Sequence, residues 1–156
     1  MRPEEACYRE VAVGDKLTYR PVTDHRDRAG FRLPTDREFD AICSAGTKPR
    51  RYFGDSSALL DRYACILKPL EGLARPVAGK RPNDLGFFDT LGNIQEWCER
   101  TGPQGAAGSV SGDLRGGWFG GNSPGKVDRF SVVPGVPLDF GDPTMGLRVV
   151  RTKVIP

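Results

Sequence analysis

A chain of 156 residues is the size of one domain and can bury a core without a disulfide or metal staple. Its 38% hydrophobic content, with 20 glycines and 13 prolines and no collagen-like period, calls for short elements and many loops. The net charge of +3, from 23 basic and 20 acidic side chains, is too mild to mark a nucleic-acid surface. No apolar run approaches 18 residues and the charged start, MRPEEACYRE, is unlike a signal peptide, so neither a membrane partner nor export is expected and the expected compartment is cytoplasmic.

In chain order, CYREVAVGDKLTYR (7–20) alternates apolar and polar residues on each side of Gly14-Asp15, a hairpin pattern. A charged loop follows to Gly30, and its His25, the sole histidine, reads as exposed and solvated. LPTDREFDAICSAG (33–46) is the clearest helix. Thr35 and Glu38 form a capping box, Phe39, Ile42 and Cys43 make one apolar face, and Gly46 is placed to end it. Lys48, Arg50 and Arg51 read as a solvated basic loop. GDSSALLDRYAC (54–65) reads as a short second helix, capped by Asp55 or Ser56, with Leu59, Leu60 and Tyr63 inward.

Residues 66–82 are broken by Pro69, Pro76 and Pro82. NDLGFFDTLGNIQEWCER (83–100) concentrates candidate chemistry: Asp89 and Glu96, seven apart, with Gly92 and Asn93 between them. As a general acid and base the pair has no nucleophile or histidine beside it in sequence. Residues 101–113 are a loop of small residues. LRGGWFGGN (114–122) predicts a strand with a glycine bulge. Residues 130–145, with Pro134, Pro137 and Pro143, read as a long turn. GLRVVRT (146–152) predicts a terminal strand with Arg148 and Val150 on one side. Trp97, Trp118 and Phe119 read as core. Cys7, Cys43, Cys65 and Cys98 show no metal spacing. Free, mostly buried thiols are expected, although an even count leaves disulfides open. The class is α+β.

Four segments in this order, GFRLPTDREFDAICSAGT (30–47), NDLGFFDTLGNIQEWC (83–98), LRGGWF (114–119) and DPTMGLRVVR (142–151), resemble the formylglycine-generating enzyme, or sulfatase-modifying factor, domain family. The resemblance implies a fold related to C-type lectins. It reads as one domain over 1–156, with the family motifs at 30–152 and the family's N-terminal part replaced by the hairpin. Catalytic members oxidise a sulfatase cysteine to formylglycine with copper held by two cysteines just after the L-R-G-G strand, thiolates being soft ligands for copper(I). Here residues 116–130 contain no cysteine, and Gly121 and Lys126 stand about where the ligands would be. Copper and the oxidase chemistry are therefore not expected, and the chain resembles a pseudoenzyme.

The resemblance also implies a calcium loop, with the Asp89 carboxylate, the Gly92 and Ile94 carbonyls and the Glu96 carboxylate as ligands. The alternative is a metal-free loop in which Asp89 caps a turn and Glu96 pairs with a buried arginine such as Arg148. A second family calcium site is not expected, because Cys65 replaces an asparagine. The family's partner for Cys43 would fall near Ser131, so a buried thiol is expected instead of a bridge. Two functions from different classes follow. One is a non-catalytic module binding an unknown protein or small ligand through loops 101–113 and 119–145, as in domains attached to bacterial kinases. The other is a copper oxidoreductase with ligands from elsewhere, such as Cys65 and Cys98. A fragment without independent activity, prone to homodimerise through an uncovered face, is a third expectation.

Overall fold

The computed structural model describes residues 3–66, 73–101, 111–120, 127–128 and 131–153. Strands β1 (Tyr8–Val13) and β2 (Lys16–Pro21) form the expected hairpin, with Val13 opposite Lys16 and Gly14 left-handed at φ 61° in the two-residue turn. β3 (Phe31–Arg32) leads into α1 (Asp36–Ser44).

The capping box of α1 forms as its residues predict. Thr35 Oγ1 accepts from the Glu38 amide at 3.2 Å and Glu38 Oε2 accepts from the Thr35 amide at 2.8 Å. The left-handed cap is Ala45 at φ 47°, one residue before the expected Gly46, which is itself left-handed at φ 78°. Phe39 and Cys43 are fully buried and meet Leu60, Ala64, Leu91 and Cys98 in the core.

Glu38 also takes both arms of the buried Arg32 guanidinium at 2.7 Å. Arg32, with the Thr35 amide and hydroxyl adding to it, outweighs burial and holds the Glu38 carboxyl at about 2. A carboxyl lower in the folded than in the unfolded chain contributes stability above about pH 4.5 and loses it as pH falls towards about 2. Glu38→Gln should therefore cost about 1 kcal/mol near neutrality, kept small by a side chain 40% exposed, and less in acid. Urea unfolding of both proteins between about pH 2 and about pH 6 checks the sign.

The second helix is shorter than the run 54–65 predicts. A 3-10 turn, Ser57–Leu59, is capped by Ser56 and passes into α2 (Leu60–Tyr63), which buries Leu60. The basic loop before it is not wholly solvated: Arg51 is buried, its Nε donating to the Val127 carbonyl at 3.0 Å and its Nη1 to the Asp55 carbonyl at 3.0 Å.

The main sheet has the order β6-β5-β4-β7, from β4 (Gln95–Cys98), β5 (Ser111–Arg115), β6 (Val132–Pro137) and β7 (Met145–Gly146). Only the β4–β7 pairing is parallel. Three expectations are corrected here. The strand predicted at 114–122 runs over 111–115, because Gly116 and Gly117 both turn left-handed and end it; the register shift lies between Gly112 and Leu114. The turn predicted at 130–145 contains β6, an edge strand, where proline is tolerated. The terminal strand splits: β7 joins the main sheet and β8 (Val150–Arg151) pairs antiparallel with β3. The alternation still holds at the join, with Leu147 and Val149 exposed and Arg148 turned inward.

Candidate functional site

Residues 83–98 fold into a tied loop that ends in β4. Asn83 anchors its start: Nδ2 donates to the Ile42 carbonyl at 2.6 Å, and Oδ1 accepts from the amides of Leu85 and Phe87. Four left-handed residues then shape the loop, Gly86 (φ 83°), Asp89 (φ 54°), Gly92 (φ 81°) and Asn93 (φ 64°). Aspartate and asparagine tolerate that conformation better than other side-chain-bearing residues. Gly92 is constrained further, since a Cβ there would lie 2.5 Å from the Cys65 carbonyl oxygen. Its amide donates to the Gly116 carbonyl at 2.8 Å.

Asn93 is the hub that the sequence does not advertise. It is 2% exposed. Its backbone bonds Cys65 and Phe119, while its side chain exchanges hydrogen bonds with both backbone groups of Arg75. Three separate segments are tied to this one residue. The Gly-Asn pair signals a turn in sequence, but its partners do not show there.

The two carboxylates do different work. Glu96, 6% exposed, takes a two-pronged hydrogen bond from Arg148: Nε to Oε2 at 2.8 Å and Nη2 to Oε1 at 2.9 Å. Arg148 Nη2 also donates to the Phe88 carbonyl at 2.9 Å. Burial pushes the Glu96 carboxyl up, against the lowering effect of Arg148. Asp89 Oδ2 accepts from the Ala78 amide at 2.6 Å and so caps the adjoining turn. Asp89, Ile94, Glu96 and Arg148 line one surface cleft of about 390 Å³, rimmed by the exposed Val77 and Leu147, and Gly92 is not part of its wall.

The contacts that the metal-free reading expects are both present: Asp89 caps a turn and Glu96 pairs with Arg148. Calcium needs six to eight oxygen donors. Both Glu96 oxygens are held by a guanidinium, and a cation would have to displace that positive charge. The residues as arranged do not fit calcium at the Glu96 end.

All four cysteines are free thiols. Cys43, donating to the Thr90 carbonyl at 3.5 Å, is pushed up to about 12 by burial, and Cys98 is raised by the same cause. Cys65 is half-buried on a second cleft of about 400 Å³, with Arg75 and Lys80 on its wall. Phe119 is buried as expected, with Trp97 and Trp118 half-buried. Gly121 and Lys126 lie outside the described residues, as do 102–110 of the first proposed loop and 121–126 and 129–130 of the second.

His25 is not solvated. The turn at 22–28 folds back onto the end of β4. His25 Nε2 lies 2.9 Å from both Glu99 oxygens and Nδ1 lies 2.9 Å from the Val22 carbonyl. Tyr8 donates to Glu99 at 3.3 Å and Arg26 Nε at 3.0 Å. Burial raises the Tyr8 hydroxyl to about 12. His25 and Glu99 are 74 residues apart, so no local pattern announces the contact.

The family description "Sulfatase-modifying factor enzyme 1-like domain" matches residues 8–153. The chain belongs to this family. The match takes in the hairpin, which the motifs alone place in front of the family region. Among relatives of this sulfatase-modifying-factor-like domain, "Chaperone protein LppX" of Paenibacillus barcinonensis is 29% identical over 157 aligned positions, 85% of this chain and 53% of the relative. The formylglycine-generating enzyme of Streptomyces coelicolor is 32% identical over 94 positions, 53% of this chain and 30% of the enzyme. The solved structure of Treponema denticola variable protein 1 superposes with a TM-score of 0.72 at 26% identity, covering 92% of this chain and 61% of that one. The domain thus spans about half or less of the length of the two relatives, and the formylglycine-generating-enzyme-like fold expected from the motifs is the fold observed.

Proposed function

We propose that this sulfatase-modifying-factor-like domain is a non-catalytic module that binds another protein or a small ligand. The observation that carries this reading is the absence of any cysteine from residues 116–130, where the family's copper ligands belong. Copper(I) prefers soft sulfur ligands, thiolates above all. Cys43 and Cys98 are buried thiols raised well above neutrality, which makes them poor substitutes. The likeness to a protein named a chaperone supports a role in engaging polypeptides. The binding face is proposed at loops 101–113 and 119–145, whose described part exposes Val132, Val133, Leu138 and Phe140. The loop at Asp89 and Glu96 serves as architecture, with Arg148 supplying the positive charge that a calcium ion would otherwise bring.

The second reading, a copper-dependent oxidoreductase acting on a protein cysteine, draws on the 32% identity to a formylglycine-generating enzyme. One experiment separates the two. The purified protein is titrated with copper(I) against a competing chelator, then incubated with a cysteine peptide and dioxygen. The expected outcome is no stoichiometric copper and no aldehyde product. Tight copper binding with peptide oxidation would establish the enzyme and end the binding-module reading. In the same preparation, a calcium chelator should leave the melting temperature unchanged.

A further inference from the structure

The β1–β2 hairpin carries an unusual charge arrangement. Arg9 and Arg20 stand directly opposite each other in its register, and Val13 opposite Lys16 puts Lys16 on the same face two pairs further on, past Val11 and Thr18. Like charges directly opposite on adjacent strands are destabilising. Among the described residues none of these three cations has an ion-pair partner or a side-chain hydrogen bond. Elsewhere the chain pairs its arginines readily, as at Arg32, Arg100 and Arg148. The hairpin therefore holds uncompensated positive charge at some cost to its own stability.

The outer edge of β2 borders a groove of about 390 Å³ closed by Pro137–Asp139, with Lys16 and Arg20 on one side of the strand and Leu17 and Tyr19 on the other. Its apolar wall is exposed: Val13 at 54%, Leu17 at 66%, Tyr19 at 66% and Leu138 at 45%. The hairpin forms a sheet of its own, so the outer edge of β2 pairs with no other described strand. Cations, apolar side chains and an unpaired strand edge together match one kind of occupant. We infer that the hairpin groove docks an extended polypeptide segment in which acidic and apolar residues alternate, the acidic ones meeting Lys16 and Arg20. Alternation suits a strand, whose successive side chains face opposite ways, and an unpaired edge offers it backbone hydrogen bonds.

Charge also selects against other occupants. A second copy in face-to-face contact would bring like-charged surfaces together. A nucleic-acid backbone would gain from the cations but leave the apolar wall unused. The inference rests on the reading of this domain as an interaction module and gives that module a partner of stated chemistry.

The test uses a fluorescein-labelled peptide of alternating glutamate and valine, with polyglutamate and a DNA duplex as comparisons, followed by anisotropy. The alternating peptide should bind best, and its affinity should fall about tenfold between about 50 mM and about 300 mM NaCl. Arg20→Glu is the decisive variant, because it removes a groove cation and turns the Arg9–Arg20 clash into a cross-strand ion pair. It should raise the melting temperature while abolishing peptide binding. A residue with only a structural role would not lose binding while gaining stability. Equal or tighter binding of DNA or polyglutamate would overturn the polypeptide assignment in favour of a general polyanion site. Unchanged peptide binding by Arg20→Glu, or no binding by the wild-type protein, would overturn the hairpin site. Failure of the interaction-module reading itself appears separately, as copper uptake and cysteine oxidation.

Discussion

Arg148→Met should destabilise the protein by about 3–5 kcal/mol, because it leaves the Glu96 carboxylate buried without a countercharge. Glu96 is 6% exposed and has both oxygens in the Arg148 guanidinium, so neither can turn to water in its place. Arg148 also holds the Phe88 carbonyl, which ties β8's approach to the loop before β4. Urea unfolding near pH 7 measures the loss. The double variant Glu96→Leu/Arg148→Met should recover most of it, since an apolar pair of similar volume needs no countercharge. A single-variant cost below about 1 kcal/mol would place this pair with the weak surface bridges.

The pH dependence of that deficit has a definite sign. Burial raises the Glu96 carboxyl in the folded chain. A raised acid binds its proton more tightly when folded, so its contribution to stability is fully present below the ordinary carboxylate range and declines as pH rises through the folded value. Removing Arg148 takes away the opposing effect and widens this window. The Arg148→Met protein should therefore lag furthest behind the wild type at neutral pH and close the gap on acidification.

Gly92→Ala is the second large effect expected, at about 2–5 kcal/mol. The left-handed backbone costs a non-glycine residue roughly 1–2 kcal/mol and forced overpacking about 1–3 kcal/mol more. The second part arises because the new Cβ would meet the Cys65 carbonyl oxygen at 2.5 Å, a backbone atom that cannot swing aside. Gly46→Ala is the matched control. Its φ of 78° is similar, but a Cβ there meets nothing within 4 Å, so only the conformational cost of roughly 1–2 kcal/mol should appear. Thermal melts of the two variants separate crowding from backbone strain. Equal losses would remove the close approach of residues 65 and 92 as a cause.

What could be read in advance depended on how far apart the interacting residues lie. The capping box of α1 joins Thr35 and Glu38, three residues apart, and the hairpin joins residues across a two-residue turn; both were legible. Four family motifs in order carried the fold beyond that range. β6 was missed because Pro134 and Pro137 argue against a strand, and only the sheet order shows that this one lies at an edge. The loop at Asp89 and Glu96 was legible as a choice between an ion and an arginine, while the contact with Arg148, 52 residues away, was legible only as one possibility among buried arginines. Asn93 and the His25–Glu99 contact gave no usable signal, since their partners come from distant segments.

The prolines of β6 also bear on how the molecule behaves at high concentration. That strand forms the margin of the main sheet and shows Val132 and Val133 to solvent, the combination that invites chains to zip together into aggregates. Pro134 and Pro137 have no amide hydrogen to offer an incoming chain and fix the local backbone angle, so the margin is blunted where it is most apolar. The β6 margin is thereby protected from edge-to-edge growth, and on the hairpin side of the molecule neighbouring positive charges repel further copies.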